Sequence, residues 1–346
     1  MTILSIDTSC DETACAITSD TKILSNIIWS QAKDHAKFGG VMPSLAQRMH
    51  EERIDFVTNK ALVNSQQPLE KIDAIAVTVG PGLSIALGVG IKKAKELAIK
   101  HNKKLIAVNH LEAHVLSPFA NSQFSILNSK FPALGLVVSG GNTILVKINE
   151  IGEYETLAQT ADDALGEALD KAARMLGLGY PGGAILEKFA KLGDPLKYKL
   201  PIPMIGQEER KIFSYSGLKT SMMRKIVEIR ETNGALSKQN IYDLASSFQD
   251  ASFTHLFRVC SYSIANCKLK IVNLLVGGGV SANIELRKRL RHLGKQFDIN
   301  VSFPYSKNMT GDNAAMVGVA AYFKAQRGEF VDPKTIDRIP NLKIGG

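Results

Sequence analysis

Two histidines four residues apart, in the run His110-Leu111-Glu112-Ala113-His114, are the residues whose type and spacing most directly suggest chemistry. On a helix, positions i and i+4 share one face, so both imidazoles could ligate a single metal ion. The intervening acid stands at i+2. At about 100° per residue Glu112 points roughly 200° away from His110, which disqualifies it as the general base of a zinc peptidase. A metal site survives that argument; two helix-start histidines with no metal remain the alternative. A third ligand has to come from elsewhere, and Asp312 in Thr310-Gly311-Asp312-Asn313 is the candidate. A carboxylate at a helix start also serves as an N-cap, so Asp312 has two readings. Two histidines and one aspartate leave coordination positions open for a ligand.

Glycine-rich turns suggest the second half of the chemistry. Ser139-Gly140-Gly141-Asn142-Thr143 suits close approach of backbone to an anion, because glycine lacks the Cβ that would block a phosphate. Gly277-Gly278-Gly279-Val280-Ser281-Ala282-Asn283 follows an apolar run and leads into a helical pattern, the context in which helix N-termini hold phosphates. Neither is a dinucleotide fingerprint or a Walker A loop. Between them, Asp162 and Asp163 open a helical run and are expected to cap it, with a solvated acidic face as the alternative. Asp170 lies two turns in, too deep for a cap, and could accept hydrogen bonds from a substrate. Tyr180-Pro181-Gly182-Gly183 reads as a tight turn whose backbone can approach a ligand.

The elements that must position these groups follow from apolar patterning. Strands are expected at 3–7, 14–18, 23–29, 72–78, 105–109, 133–138, 143–148 and 271–276. Helices are expected at about 43–63, 84–101, 163–177, 239–266, 281–294 and 312–327. That alternation predicts an α/β protein with mixed sheets. The stretch 194–216, with its lysines and prolines, reads as a long surface insertion. A faint internal repeat adds to this. Ile3 to Asp7, a polar turn and Ala14 to Ile17 are echoed by Leu134 to Val138, a polar turn and Ile144 to Val146. Two such hairpins suggest two related lobes facing a shared cleft, although any two hairpins look alike.

Composition sets the outer bounds. The 346 residues fit one large or two moderate domains. The 42 Lys and Arg exceed the 33 Asp and Glu, giving a net charge of +9 that favours a polyanionic partner such as nucleic acid. Cys10, Cys15, Cys260 and Cys267 have neither Cys-x-x-Cys nor zinc-finger spacing and read as reduced packing residues. No run of 18 apolar residues and no targeting segment stand out, so the expectation is a cytoplasmic protein with no membrane partner.

Taken in order, these motifs resemble the tRNA N(6)-adenosine threonylcarbamoyltransferase family, TsaD. The resemblance runs from Ile6 to about Gly318. It is carried by Asp7 to Thr13, Gly80 to Leu83, His110 to His114, Val137 to Thr143, Gly166 to Lys171 and Tyr180 to Gly183, then by Phe213 to Thr220, Gly277 to Asn283 and Gly311 to Asn313. Gly39 to Pro43 and the later His50 look bacterial or organellar rather than archaeal. Two departures stand out: Asn142 where the family usually has His, and Met49 in place of a common Asp. Asn142 puts any imidazole role at that turn in doubt and leaves its backbone untouched.

The resemblance implies the two-lobed actin/heat-shock chaperone/sugar-kinase-like (ASKHA) fold, a nucleotide cleft lying between lobes. The expected division is 1–125 for the N-terminal lobe, joined by 312–346, and 126–311 for the second lobe. His110, His114 and Asp312 are implied to hold one divalent metal ion, iron or zinc. Val137, Val138, Ser139, Gly140, Gly141, Asp170, Gly183 and Asn283 are implied to line the site of the donor, threonylcarbamoyl-AMP. Asp11 and Glu12 match acids at the cleft mouth and are the catalytic candidates. The expected reaction is metal-assisted acyl transfer to the N(6) amine of the adenosine 3′-adjacent to the anticodon, in tRNAs reading ANN codons. Lys197, Lys199, Arg210 and Lys211 are candidates for gripping the tRNA. Family members work with partners, in bacteria a TsaB-type inactive paralogue and a TsaE-type small ATPase; an organellar type would be a homodimer. Two other classes compete. A small-molecule kinase of the same superfold would clasp ATP with no need of a His-x-x-x-His pair, and a non-catalytic ATP-binding assembly subunit would lose metal dependence.

Overall fold

The computed structural model describes residues 1–121, 131–267 and 269–345. The expected 125/126 lobe boundary lies outside the described residues. Alternating apolar runs form a first sheet from β1 (Thr2–Asp7), β2 (Glu12–Ser19), β3 (Lys22–Ser30), β4 (Ala74–Gly80) and β5 (Lys104–Asn109), in the order β3-β2-β1-β4-β5. A second sheet holds β6 (Ala133–Val138), β7 (Thr143–Glu150), β8 (Glu153–Thr160), β9 (Ile212–Phe213), β10 (Asn273–Gly277) and β11 (Asn300–Ser302), in the order β11-β10-β6-β7-β8-β9.

The two sheets share one plan. β1 pairs antiparallel with β2 and parallel with β4, as β6 pairs antiparallel with β7 and parallel with β10. The turns after β1 and β6 therefore occupy equivalent places, each at the end of a central strand. The two-lobed α/β architecture is the one expected from the paired hairpins.

Helices fill the layers around these sheets. α1 (Ala32–Ala36), α2 (Pro43–Ser65), α3 (Ser84–Lys100) and α4 (His110–Leu116) belong to the first half of the chain. α5 (Leu165–Met175), α6 (Gly183–Ala190), α7 (Ser216–Asn233), α8 (Lys238–Ala265), α9 (Ile284–Phe297) and α10 (Ala314–Gln326) follow. One core joins the outer face of the first sheet to α2 and α3, through Ile6, Ile75, Val57 and Leu87. A second joins the second sheet to α5, α7, α8 and α9, through Leu136, Leu169, Phe248 and Leu290. The third lies between the sheets, where α4 and α10 bury Val115, Leu116, Met316 and Val319 among Ile3, Val108, Val137 and Val146. The metal-motif helix thus sits in the seam between the halves, its seven residues all buried.

Several elements depart from the sequence expectation. β8, β9, β11, α1, α6 and α7 are additional. The end of the 194–216 stretch is not surface: β9 pairs parallel with β8, and Phe213 and Tyr215 are fully buried. The helix expected from 163 begins at Leu165 after Ala164, with no side-chain cap. Asp162 instead holds the start of α7, accepting from the Ser214 and Ser216 hydroxyls at 2.5 and 2.7 Å and from the Tyr215 amide at 2.8 Å. Asp163 pairs with Lys171 at 2.8 Å and with Lys219. Asp162 is spent on the start of α7 and Asp163 on two lysine side chains, so neither caps α5.

Candidate active-site cleft

α4 begins where β5 ends. The Asn109 side chain accepts from the amides of Leu111 and Glu112, satisfying donors that a helix start leaves free. His110 and His114 then fall one turn apart on one face, with ring centroids 4.6 Å apart. Across from them, α10 is capped by Asn313, whose Oδ1 accepts from the Met316 amide at 3.0 Å. That settles the double reading of Asp312: the cap is its neighbour, and its own carboxylate faces the imidazoles. Asp312 Oδ1 lies 3.1 Å from His114 Nε2 and 3.5 Å from His110 Nε2. One ligand atom from each of the three residues lies within 4.8 Å of the others.

The donor set fits a divalent cation of the zinc or iron type. Nδ1 of both histidines is buried without a hydrogen-bond partner. Asp7, at the end of β1, is buried and holds Oδ2 3.7 Å from His110 Nδ1, also without a hydrogen-bond partner. A carboxylate behind a ligating histidine is the usual second layer of a metal site, fixing ring orientation. Electrostatics agree. Burial alone would raise the Asp312 carboxyl, but the facing His110 and His114 rings pull it well below the usual carboxylate range. Burial would lower His110, yet the Asp312 carboxylate outweighs it and lifts that imidazole to about 9. His114 is pushed down by burial. Burial raises Asp7. The cluster thus gathers two imidazoles around one ionised carboxylate, with a second, more readily protonated carboxyl beside His110.

Glu112 is on the far side of α4, as its i+2 position requires. It accepts from the Tyr154 hydroxyl at 3.0 Å and lies 3.8 Å from Arg327. It faces away from the histidines, so this motif does not form a peptidase arrangement.

The cluster opens onto a cleft of about 1050 Å³ between the lobes. Asp11, Glu12, His110, Ser139, Gly140, Gly141, Asp170 and Asp312 line it, from both halves of the chain. His114, Val137, Val138, Gly183 and Asn283 stand behind that lining. Asn283 is buried, with its Oδ1 capping α9 and its Nδ2 donating to Gln249 Oε1 at 2.9 Å, so its side chain is already engaged. Gly183 and Gly182 donate their amides to Asp170 Oδ1 at 2.7 and 2.8 Å, which fixes that carboxylate at the cleft wall. The turn after β6 is more selective than its sequence suggests. The Ser139 amide donates to the Asn142 carbonyl and the Asn142 amide to Ser139 Oγ. Gly140 and Gly141 are left, exposed and with no acceptor in reach of their amides among the described residues.

Close backbone packing ties this turn to α4. A Cβ on Gly277 would lie 2.0 Å from the His114 carbonyl oxygen, and one on Gly278, at φ +90°, 2.3 Å from that of Val138. Only glycine allows β10 to end so near both α4 and β6.

Two features of the cleft escaped sequence reasoning. Asp7 opens a motif that carries the resemblance, but nothing in its sequence context places it beside His110. The other is the C-terminal tail: Pro340 to Ile344 form part of the cleft wall. The Gly82 amide donates to the Pro340 carbonyl at 3.1 Å, and Asn109 Nδ2 donates to that of Lys343 at 2.8 Å. Backbone contacts of this kind leave no pattern in residue type.

At the mouth, burial and the neighbouring Asp11 carboxylate push Glu12 well above the ordinary carboxylate range, while its Oε1 accepts from Ser30 at 3.0 Å. Arg174 donates to the Gly39 carbonyl at 2.8 Å, spanning the opening from one lobe to the other. Lys197, Lys199, Arg210 and Lys211 are exposed and do not line the cleft.

Residues 22–319 match the family model described as TsaD, tRNA N6-adenosine threonylcarbamoyltransferase. A protein of that name from Clostridium kluyveri is 44% identical, covering 99% of this chain and 98% of its own. Those from Thermodesulfovibrio yellowstonii and Pelagibacter ubique are 43% and 41% identical, covering 96% and 95% of this chain and 97% and 91% of theirs. Among solved structures, full-length HypF in the phosphate- and nucleotide-bound form has a TM-score of 0.57 at 13% identity, over 94% of this chain and 56% of that one. The activator of 2-hydroxyisocaproyl-CoA dehydratase from Clostridium difficile, with bound ADPNP, has a TM-score of 0.53 at 13% identity, over 98% and 99%. At such identity these two likenesses speak to the fold alone.

Proposed function

The chain belongs to the tRNA N6-adenosine threonylcarbamoyltransferase family, and on that premise we propose how its cleft carries out the transfer. The enzyme places a threonylcarbamoyl group on the N6 amine of an adenosine in tRNA. We take the donor to be threonylcarbamoyl-AMP and the acceptor to be the adenosine beside the anticodon of tRNAs reading ANN codons. One observation carries this reading: His110, His114 and Asp312 converge at the base of a cleft whose other wall is the free-amide turn Gly140-Gly141.

In the reaction the N6 nitrogen attacks the carbamoyl carbon, the bond from that carbon to the phosphate oxygen breaks, and AMP leaves. When bound by His110, His114 and Asp312, a divalent ion of the zinc or iron type would supply Lewis-acid stabilisation to the anionic donor. Gly140 and Gly141 would direct their amides at the phosphate or the developing oxyanion, holding the acyl group in line. Asp170, pinned by Gly182 and Gly183, would orient donor hydroxyls or amines through its remaining oxygen. Val137, Val138, Gly183 and Asn283 would act from behind the lining by fixing the turn and the helix starts. Of the two acids at the mouth, we assign proton acceptance to Glu12, because a carboxylate with raised proton affinity takes a proton more readily from the attacking amine. Asp11 would orient the incoming base. The lobes are taken as 1–125 with 312–346, and 126–311.

No helix among the described residues is long and apolar enough to cross a membrane, and we take the site of action to be the cytoplasm. A TsaB-type paralogue and a TsaE-type ATPase, or a second copy of the chain, are the partners we expect. The test is direct. Nucleoside mass spectrometry of tRNA from a depleted strain should show loss of threonylcarbamoyladenosine, and the purified chain with donor, tRNA and partners should restore it. Phosphoryl transfer from labelled ATP to small molecules, with tRNA left unmodified, would overturn the reading in favour of a kinase.

A further inference from the structure

On the second lobe, outside the cleft, α8 and α9 flank a groove of about 940 Å³. Phe257, Tyr262 and Leu293 give it apolar surface. Arg258, Lys288, Arg289, Arg291 and Lys295 give it charge, with His292 among them. Two of those cations are already matched: Arg258 pairs with Glu208, and Arg289 pairs with Asp250 and Glu285. The others are not. Lys288 is 79% exposed and comes only within 4.0 Å of Glu285, and Arg291 and Lys295 meet no carboxylate among the described residues. Positions 288, 291, 292 and 295 follow helical spacing, so these groups form a single stripe. α9 carries five Lys and Arg against the lone acid Glu285, and like charges at this spacing work against the helix unless a counter-charge answers them.

The stripe is also placed to reach the cleft. α9 is capped at Asn283, four residues after Gly279, which lines the cleft wall. At about 1.5 Å per residue the stripe spans roughly 8 to 18 Å along the helix from that cap.

We propose that this groove is the docking track for the RNA acceptor, its stripe neutralising backbone phosphates and its aromatic surface taking the face of a sugar or base. The proposal rests on the tRNA-modifying reading above and names the surface that reading leaves open. Phosphate neutralisation makes RNA binding fall steeply with salt, each lost contact reducing the slope by about 0.7 for a single strand. The test compares a Lys288→Gln/Arg291→Gln/Lys295→Gln variant with a charge-matched control, Lys71→Gln/Lys92→Gln/Lys100→Gln, at exposed positions of the other lobe. Binding of unmodified tRNA is followed by fluorescence anisotropy across salt, with thermal midpoints confirming that both variants fold.

The groove variant should lose about 2 from the log–log salt slope and bind roughly tenfold more weakly at low salt, and the control should match wild type. Equal behaviour of the two variants overturns the proposal. So does displacement of tRNA by polyglutamate as effective as that by unlabelled RNA, which would make the groove a site for an acidic polypeptide. Because binding is read without transfer, the two readings fail separately. Groove-dependent tRNA binding by a chain that modifies nothing would sink the function and leave the track standing.

Discussion

Replacing Gly277 by alanine should disable the metal cluster without substituting any of its ligands. The new Cβ would sit 2.0 Å from the His114 carbonyl oxygen, whereas ordinary contact begins near 3.4 Å. The opposing atoms are main chain, so no side chain can swing aside. β10 and α4 must part by about 1 Å or more, while metal sites tolerate errors of about 0.2 Å in ligand distance. The displacement reaches His114 directly. Gly311, next to Asp312, packs beside Gly279 at the end of the same turn, so the two halves of the cluster shift relative to each other. Overfilling a tight core costs about 1–3 kcal/mol, and backbone against backbone belongs at the upper end. Elemental analysis of the purified variant should find little iron or zinc, with a lowered denaturant midpoint and transfer near background. Gly140→Ala is the contrasting case. Nothing lies within 4 Å of its Cβ, so the variant should fold and retain metal, yet lose donor binding because the methyl occupies the anion's place. A Gly277→Ala protein with full metal content and a wild-type midpoint would refute the reasoning.

Other predictions follow from single contacts. Asp7→Asn should lower metal affinity about 10- to 100-fold while leaving the three ligands in place, as seen by competition with a chromophoric chelator. Glu12→Gln should lower the rate of transfer far more than donor affinity, measured in single-turnover and binding assays respectively; equal loss in both would assign Glu12 to binding. Asp162→Ala should unfasten the start of α7 and cost about 1 kcal/mol or more in urea denaturation, since three donors lose their acceptor. His255 supplies a pH dependence. Burial lowers it from 6.5 to about 4, and its Nε2 accepts from the Ser214 amide. Above 6.5 both folded and unfolded chains hold it neutral, so no stability is lost. Between 6.5 and 4 the unfolded chain gains a proton the folded one refuses, so stability falls with pH, by up to about 3 kcal/mol at the acid end. His255→Gln should flatten that limb when urea midpoints are compared at pH 7 and pH 4.5.

The parts of this molecule that read clearly in its sequence are those whose chemistry is local. The spacing of His110 and His114 needs only one helical turn to acquire meaning, and the hairpins needed only two short apolar runs around a polar turn. Elements that stay hidden draw their stability from afar. β8 buries only one of its eight residues, so it lacks the alternating pattern of a half-buried strand, and β9 consists of two residues held by a neighbour about fifty positions earlier. α6 begins at a glycine pair whose amides are satisfied by Asp170 of the preceding helix. The same holds within the cleft. Asp162 looked like a cap for the next residues and proved to be one for a helix 54 positions later. Asn283 and Ser139 bear polar groups suited to a ligand, but the fold uses them first. Asp312 could be separated from its capping role only once Asn313 was seen to fill it.

The duplicated sheet plan has one further consequence. The same supersecondary unit presents its turn to the cleft twice, and the two copies have taken opposite electrostatic parts: carboxylates at Asp11 and Glu12 in one, bare amide dipoles at Gly140 and Gly141 in the other. A molecule bridging them would experience a graded field across its length, with the carboxylates and the free amides held on different sheets. The packed core between those sheets therefore sets how the two turns face each other, and a change in that packing would alter alignment without any change in the pocket lining.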